Sequence, residues 1–255
     1  MLELAGSRAL VTGGSRGIGL SIAEALAVAG ADVVLCHLND GERAAAEAKR
    51  LSAKTGRKIS HIDADVGDCD AARAMVAKAA ELMGGIDLCI SNAGICQFTP
   101  FLEIDSANWS KHVATNFSGG FFVTQRAAQL MAEQKTGGRI VFVTSVGAFR
   151  SNATQTHYCA TKSGLHILAM GMAIELAPFG ITVNCIAPGW IHTDINDAAS
   201  RDTSAVENWI QWNCPAGRLG KPQDCGGAAV FLCSKEASYV TGATITVDGG
   251  WNAKL

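Results

Sequence analysis

Arg8-Ala9-Leu10-Val11-Thr12 runs without a break into Gly13-Gly14-Ser15-Arg16-Gly17-Ile18-Gly19, and then into an apolar-periodic segment from Leu20 to Ala29 that stops at Gly30. The first five residues read as a short buried strand and the last ten as a helix. Between them, glycines let backbone N–H groups approach a pyrophosphate, and the helix N-terminus adds a favourable dipole. The spacing is G-x-x-x-G-x-G, not the G-x-G-x-x-G of the common dinucleotide fingerprint. A glycine-rich loop by itself is often only a tight turn. Its place between a first strand and a first helix makes Gly13, Gly17 and Gly19 candidate cofactor contacts.

Outward from that stretch, strand and helix alternate. Asp32–Cys36 is a second strand and Glu42–Thr55 an alanine-rich surface helix. Lys58–Ala64 is a third strand, and Asp68 caps a helix running through Met83. Ile86–Ser91 is a fourth strand, ending in Asn92-Ala93-Gly94, whose small residues would admit a cofactor. Asp105–Lys135 reads as one long helix, with Ser118-Gly119-Gly120 as the expected interruption. Arg139–Thr144 is a fifth strand that delivers Ser145 at its carboxyl end, and Thr182–Ala187 is a sixth that ends in the turn Pro188-Gly189. Residues 191–215 look irregular, rich in Trp, Asn and Asp, and suit a substrate lid. Pro222–Cys233 is a helix and Ala243–Val247 the last strand. This pattern predicts an α/β fold: a single-domain, Rossmann-type, doubly wound parallel sheet of about seven strands with helices on both faces, spanning 1–255.

Composition narrows the function. Of the 255 residues, 48% are hydrophobic and 17% charged, with a net charge of -2. That balance suits an enzyme-sized core and gives no basic excess for nucleic acid or an anionic membrane. Nine cysteines stand singly with no Cys-x-x-Cys, which suits reduced thiols in a cytoplasmic chain. No charged-then-apolar leader and no run of about 18 apolar residues is seen. The six histidines have no ligand-like spacing beside a carboxylate, so no metal is expected.

The chemistry is carried by His157-Tyr158-Cys159-Ala160-Thr161-Lys162. Four residues apart on a helix, Tyr158 and Lys162 share a face, phenol beside ammonium. A nearby cation favours phenolate, so the pair predicts a tyrosine tuned downward for proton transfer at an alcohol or carbonyl. Tyr-x-x-x-Lys also occurs on solvated helix faces, and a buried Asn116 is ordinarily structural. The tip of the second strand, Cys36-His37-Leu38-Asn39-Asp40, lacks the acidic residue at His37 expected for a ribose 2′-hydroxyl. Arg16 could meet a 2′-phosphate. NADP is therefore the favoured cofactor over NAD, with Asp40 close enough to complicate the choice.

Taken jointly, Thr12-Gly13-x-x-x-Gly17-x-Gly19, Asn92-Ala93-Gly94, Asn116, Ser145, Tyr158-x-x-x-Lys162 and Pro188-Gly189 resemble the short-chain dehydrogenases/reductases from end to end. Ser91, where the family commonly has an asparagine, is a departure. The resemblance implies Tyr158 as general acid/base and Lys162 as the group that lowers its pKa and holds the nicotinamide ribose. It implies Ser145 on the substrate oxygen and Asn116 organising a water toward Lys162. Ser15, Arg16 and Ile18 would flank the phosphates, His37 and Leu38 the adenosine ribose, Asp65 and Val66 the adenine. Ile191 and Thr193, beside Pro188 and Gly189, would meet the nicotinamide amide. A homotetramer is the family's usual assembly, here expected along Trp109–Met131, the Tyr158 helix and the last strand.

Asn92-Ala93-Gly94-Ile95-Cys96 with Phe98, Gln155-Thr156-His157-Tyr158 and Thr193-Asp194-Ile195-Asn196 are similar to aldose 1-dehydrogenases of the L-rhamnose type. That likeness implies oxidation of a sugar at C1. Gln97, Arg150, Asn152, Gln155, Trp190 and Asn196 are the candidate substrate contacts beside Ser145 and Tyr158. Reduction of a 3-oxoacyl thioester with NADPH is the enzymatic alternative, and a catalytically idle nucleotide-binding regulator the alternative from another class.

Overall fold

The strands alternate apolar side chains to two covered faces, and that alternation builds two cores. The computed structural model describes residues 2–193 and 203–254. Its strands are β1 (Arg8–Thr12), β2 (Asp32–His37), β3 (Ile59–Asp63), β4 (Leu88–Ser91), β5 (Gly138–Val143), β6 (Ile181–Pro188) and β7 (Thr244–Val247). They form one sheet in the order β3-β2-β1-β4-β5-β6-β7 with every pair parallel. Parallel sheets are stable when covered on both sides. Leu10, Val34, Ile140, Phe142 and Val183 face one core; Val11, Val33, Leu35, Val141 and Ile186 face the other.

The helices are α1 (Gly17–Val28), α2 (Gly41–Thr55), α3 (Cys69–Met83), α4 (Ser106–His112), α5 (Gly119–Gln134), α6 (Thr156–Leu176), α7 (Thr203–Asn213) and α8 (Gly226–Cys233). Met75 and Val76 of α3, Val123 and Met131 of α5, and Leu165 of α6 fill the first core. Ile22 and Leu26 of α1 and Leu232 of α8 fill the second. Asp68 caps α3 as its sequence predicts, accepting from the N–H groups of Asp70 and Ala71 at 2.9 Å.

Two expectations need correction. The long helix is not broken at its glycines: α4 passes through a wide π-type turn, Val113–Ser118, into α5. Gly119 and Gly120 are small because the helix packs closely there. A Cβ on Gly119 would lie 2.6 Å from the Val66 carbonyl oxygen, and one on Gly120 would lie 2.8 Å from Leu165 Cδ2. The 191–215 segment is also not irregular throughout, since Thr203–Asn213 forms α7. That stretch has no Gly or Pro to interrupt a helix. Among the described residues, no helix is long and apolar enough to cross a membrane.

Candidate active site

The sheet order reverses between β1 and β4, and open α/β sheets bind ligands at such a switch point, outside the strand carboxyl ends. A cleft of about 960 Å³ lies there. At its cofactor end the glycine turn is tied to the end of β4. Thr12 Oγ1 accepts from Asn92 N–H and Ala93 N–H at 2.9 and 3.0 Å, and Asn92 Nδ2 donates to the Thr12 carbonyl at 2.8 Å. Gly13 and Gly17 have φ of 62° and 56°, in the left-handed region that favours glycine. A Cβ on Gly19 would sit 2.1 Å from the Gly13 carbonyl oxygen. The turn is thus a cradle that side chains would fill, and α1 opens from it with no side-chain cap. Backbone N–H groups at such an end suit a pyrophosphate. The residues present fit a dinucleotide.

All the expected cofactor positions line this cleft: Gly13 to Gly19 apart from Gly14, then His37 and Leu38, Asp65 and Val66, and Asn92 to Gly94. Pro188, Gly189, Ile191 and Thr193 line its other side. Asp40 is also there, and its carboxylate accepts from Ser15 Oγ at 2.7 Å. His37 is buried, with Nε2 3.1 Å from His61 Nδ1. Asp40 Oδ1 also lies 3.7 Å from Arg43 Nε, so arginine side chains at 16 and 43 stand with this carboxylate at the ribose end of the cleft.

Ser145, Tyr158 and Lys162 meet at the ends of β5 and α6. Ser145 Oγ accepts from Gly147 N–H at 2.9 Å, which leaves its own proton free to donate. Lys162 Nζ lies 5.7 Å from the Tyr158 ring centre and donates to the Val143 carbonyl at 2.8 Å. Burial pulls the Lys162 ammonium down to about 8. The expected lowering of the Tyr158 phenol is not found: burial pushes it well above its usual range, and the Ser145 hydrogen bond pulls only partly back. Desolvation of the recessed phenol is the largest cause of that rise.

Asn116 does not line the cleft. From the π-type turn its Oδ1 accepts from Ile95 N–H at 2.8 Å, and its Nδ2 donates to the Ile95 carbonyl at 2.9 Å and to Thr161 Oγ1 at 3.2 Å. Both donors and one acceptor position of the side chain hold the strand-end loop against α6, with Gly94 packed between it and Lys162. Of the expected substrate contacts, Asn152, Gln155 and Trp190 line the cleft. Gln97 is exposed and outside it, its backbone N–H donating to His112 Nε2 at 3.2 Å. Arg150 is also turned away, its Nη2 donating to the carbonyls of Asn252 and Lys254 at 2.6 and 2.8 Å. Asn196 lies outside the described residues. Trp209 and Trp251 line the cleft and were missed by sequence reasoning. Only the tryptophan richness of 191–215 pointed toward one of them. No cluster of metal-ligating side chains occurs among the described residues.

A dinucleotide cradle at the switch point, beside a hydroxyl, a phenol and an ammonium, defines an oxidoreductase that works on a nicotinamide cofactor. A family model described as enoyl-(acyl carrier protein) reductase matches residues 13–252. The L-rhamnose 1-dehydrogenase (NAD(P)(+)) of Azotobacter vinelandii is 43% identical, covering 94% of each chain. The 3-oxoacyl-(acyl carrier protein) reductase of Aquifex aeolicus is 37% identical, covering 98% of each chain. The crystal structure of a gluconate 5-dehydrogenase from Burkholderia cenocepacia in complex with NADP and tartrate superposes with a TM-score of 0.94 at 36% identity, covering 99% of this chain and 98% of that one. The chain belongs to the short-chain dehydrogenase/reductase family. It is an NAD(P)-dependent oxidoreductase acting on CH–OH groups.

Proposed function

We propose that the enzyme oxidises the C1 hydroxyl of an L-rhamnose-like aldose to the aldonolactone. The observation that carries this reading is the polar side of the cleft, where Asn152 and Gln155 flank Ser145 and Tyr158. Asn152 Nδ2 donates to Gln155 Oε1 at 3.2 Å, and this amide pair offers donors and acceptors of the kind that the vicinal hydroxyls of a sugar can match. The L-rhamnose 1-dehydrogenase likeness supports the same substrate class. A 3-oxoacyl thioester is the second reading, kept by the reductases among the relatives. It would call for a basic docking patch; of the basic run Lys49, Arg50, Lys54, Arg57 and Lys58, Arg50 and Lys54 are paired with Glu24 and Arg57 with Asp32.

In the proposed reaction Ser145 donates to the C1 oxygen and orients it toward Tyr158. Tyr158 Oη then accepts the C1 hydroxyl proton as general base. Lys162 would hold the nicotinamide ribose while one of its N–H groups donates to the Val143 carbonyl. Asn116 keeps the Ile95 loop and α6 at fixed spacing. The bound oxidised nicotinamide would accept the hydride from C1 and add a positive charge that draws the phenol toward phenolate. The chain is proposed to work as one domain over 1–255, in the cytoplasm, as a homotetramer.

Absorbance at the reduced-nicotinamide band, with a panel of aldoses and with NAD and NADP in parallel, tests the substrate. We expect turnover with L-rhamnose and a loss of about a thousandfold for Tyr158→Phe with cofactor binding kept. Activity confined to an acetoacetyl thioester with NADPH would replace the sugar reading. A Tyr158→Phe enzyme with most of its rate would remove the proton-transfer role.

A further inference from the structure

Resting on that aldose reading, we infer that Trp190, Trp209 and Trp251 form the wall that makes the enzyme prefer 6-deoxyaldoses over their 6-hydroxy counterparts. The three indoles come from separate places: the loop after β6, α7, and the short turn after β7. They nevertheless stand edge to face in a row, with ring centres 4.6 Å apart between Trp190 and Trp209 and 4.7 Å apart between Trp209 and Trp251. That is the favoured geometry for aromatic pairs, and all three line the catalytic cleft.

The cleft is therefore two-sided. Its hydroxyl and amide groups, Ser145, Asn152, Gln155 and Tyr158, all come from the β5–α6 connection and α6. The three tryptophans come from the part of the chain after β6. A pyranose whose C1 is held by Ser145 and Tyr158 presents its C4–C6 end to the far side. A methyl group there gains contact with indole, whereas a hydroxymethyl group must give up water without a partner. A discrimination of about ten- to two-hundredfold is the range such a contact supplies.

Trp190 and Trp209 also line a second, smaller cavity of about 340 Å³, beside Arg218 and Asp224. These two indoles are thus a partition, and shortening one joins the spaces and admits water to the apolar end. The row is held from outside: Arg150 binds the carbonyls of Asn252 and Lys254, and Lys254 Nζ donates to the Trp212 carbonyl. Arg150 therefore acts on the substrate end by fixing the turn that carries Trp251.

The test is kcat/KM for L-rhamnose and for L-mannose, which differ only at C6, in the wild type, in Trp209→Ala and in the milder Trp209→Phe and Trp251→Leu. We expect the wild type to favour L-rhamnose at least tenfold. The variants should lose most of that ratio through a higher KM for L-rhamnose, with cofactor affinity by fluorescence titration unchanged. If Trp209→Ala does not fold, the two milder variants decide. Wild-type turnover of both sugars without preference, or a ratio that survives in folded variants, overturns this inference and leaves the aldose reading standing. Silence on both sugars, with turnover of an acetoacetyl thioester, overturns both.

Discussion

Burial pulls Lys162 from its ordinary 10.5 to about 8, so its proton is held at a cost to the folded chain. The drop corresponds to about 3 kcal/mol. Because the folded value lies below the unfolded one, the unfolded chain binds the extra proton between about pH 8 and 10.5. Stability from this group therefore rises with pH across that window, and below it the full cost is present. Replacing Lys162 with Met should raise the unfolding free energy at pH 7 by about 1–3 kcal/mol, the unpartnered Val143 carbonyl offsetting part of the gain. It should also flatten the slope between pH 8 and 10.5 and remove turnover. Denaturant unfolding at pH 7 and pH 10 reads the first two, and a variant less stable at pH 7 would contradict the argument. The Tyr158–Lys162 proximity was legible in the sequence because helical spacing fixes it. The sign of the phenol's shift was not, since depth in the cleft depends on what the rest of the chain places over it.

The π-type turn Val113–Ser118 shows what an element can hide from its sequence. Glycines at 119 and 120 look like a break, yet they serve the packing of α5 on Val66 and Leu165. The departure from regular helix comes just before them, and wide turns of this kind often mark functional positions. Here it carries Asn116 to the Ile95 backbone. Asn116→Ala would leave the Ile95 N–H and C=O without those partners. A loss of about 2–4 kcal/mol is expected, measured by chemical denaturation, with a raised KM for substrate because the loop it holds leads to the cleft. A variant with unchanged stability would show that Asn116 is not the clamp. By contrast β1, the glycine turn and the cap at Asp68 were fully legible, each being set by neighbours within a few residues.

For the molecule as a whole, parallel pairing in the order β3-β2-β1-β4-β5-β6-β7 gathers the ends of β1, β4, β5 and β6 at one edge, which is why distant motifs converge. The sheet was legible from alternation of elements; the row of three tryptophans was not, because only tertiary folding brings α7 to residues 190 and 251. α6 buries one face and leaves Ile167, Met170 and Ile174 exposed, Ile174 at 77%. An apolar stripe of this kind suits contact with a second copy. Ile174→Asp should therefore reduce the particle mass by sedimentation velocity, and a monomeric wild type would remove the homotetramer.

The cysteines that stand singly along the chain also have a practical consequence. Cys36, Cys89, Cys185, Cys225 and Cys233 are buried, and desolvation lifts each to about 12. Their nucleophilic form is scarce at neutral pH. Those five should consequently resist alkylating reagents in the folded enzyme, whereas Cys69 and Cys96 are partly exposed, so rapid titration of more than the four remaining thiols by a thiol-reactive dye would report unfolded chains in the preparation.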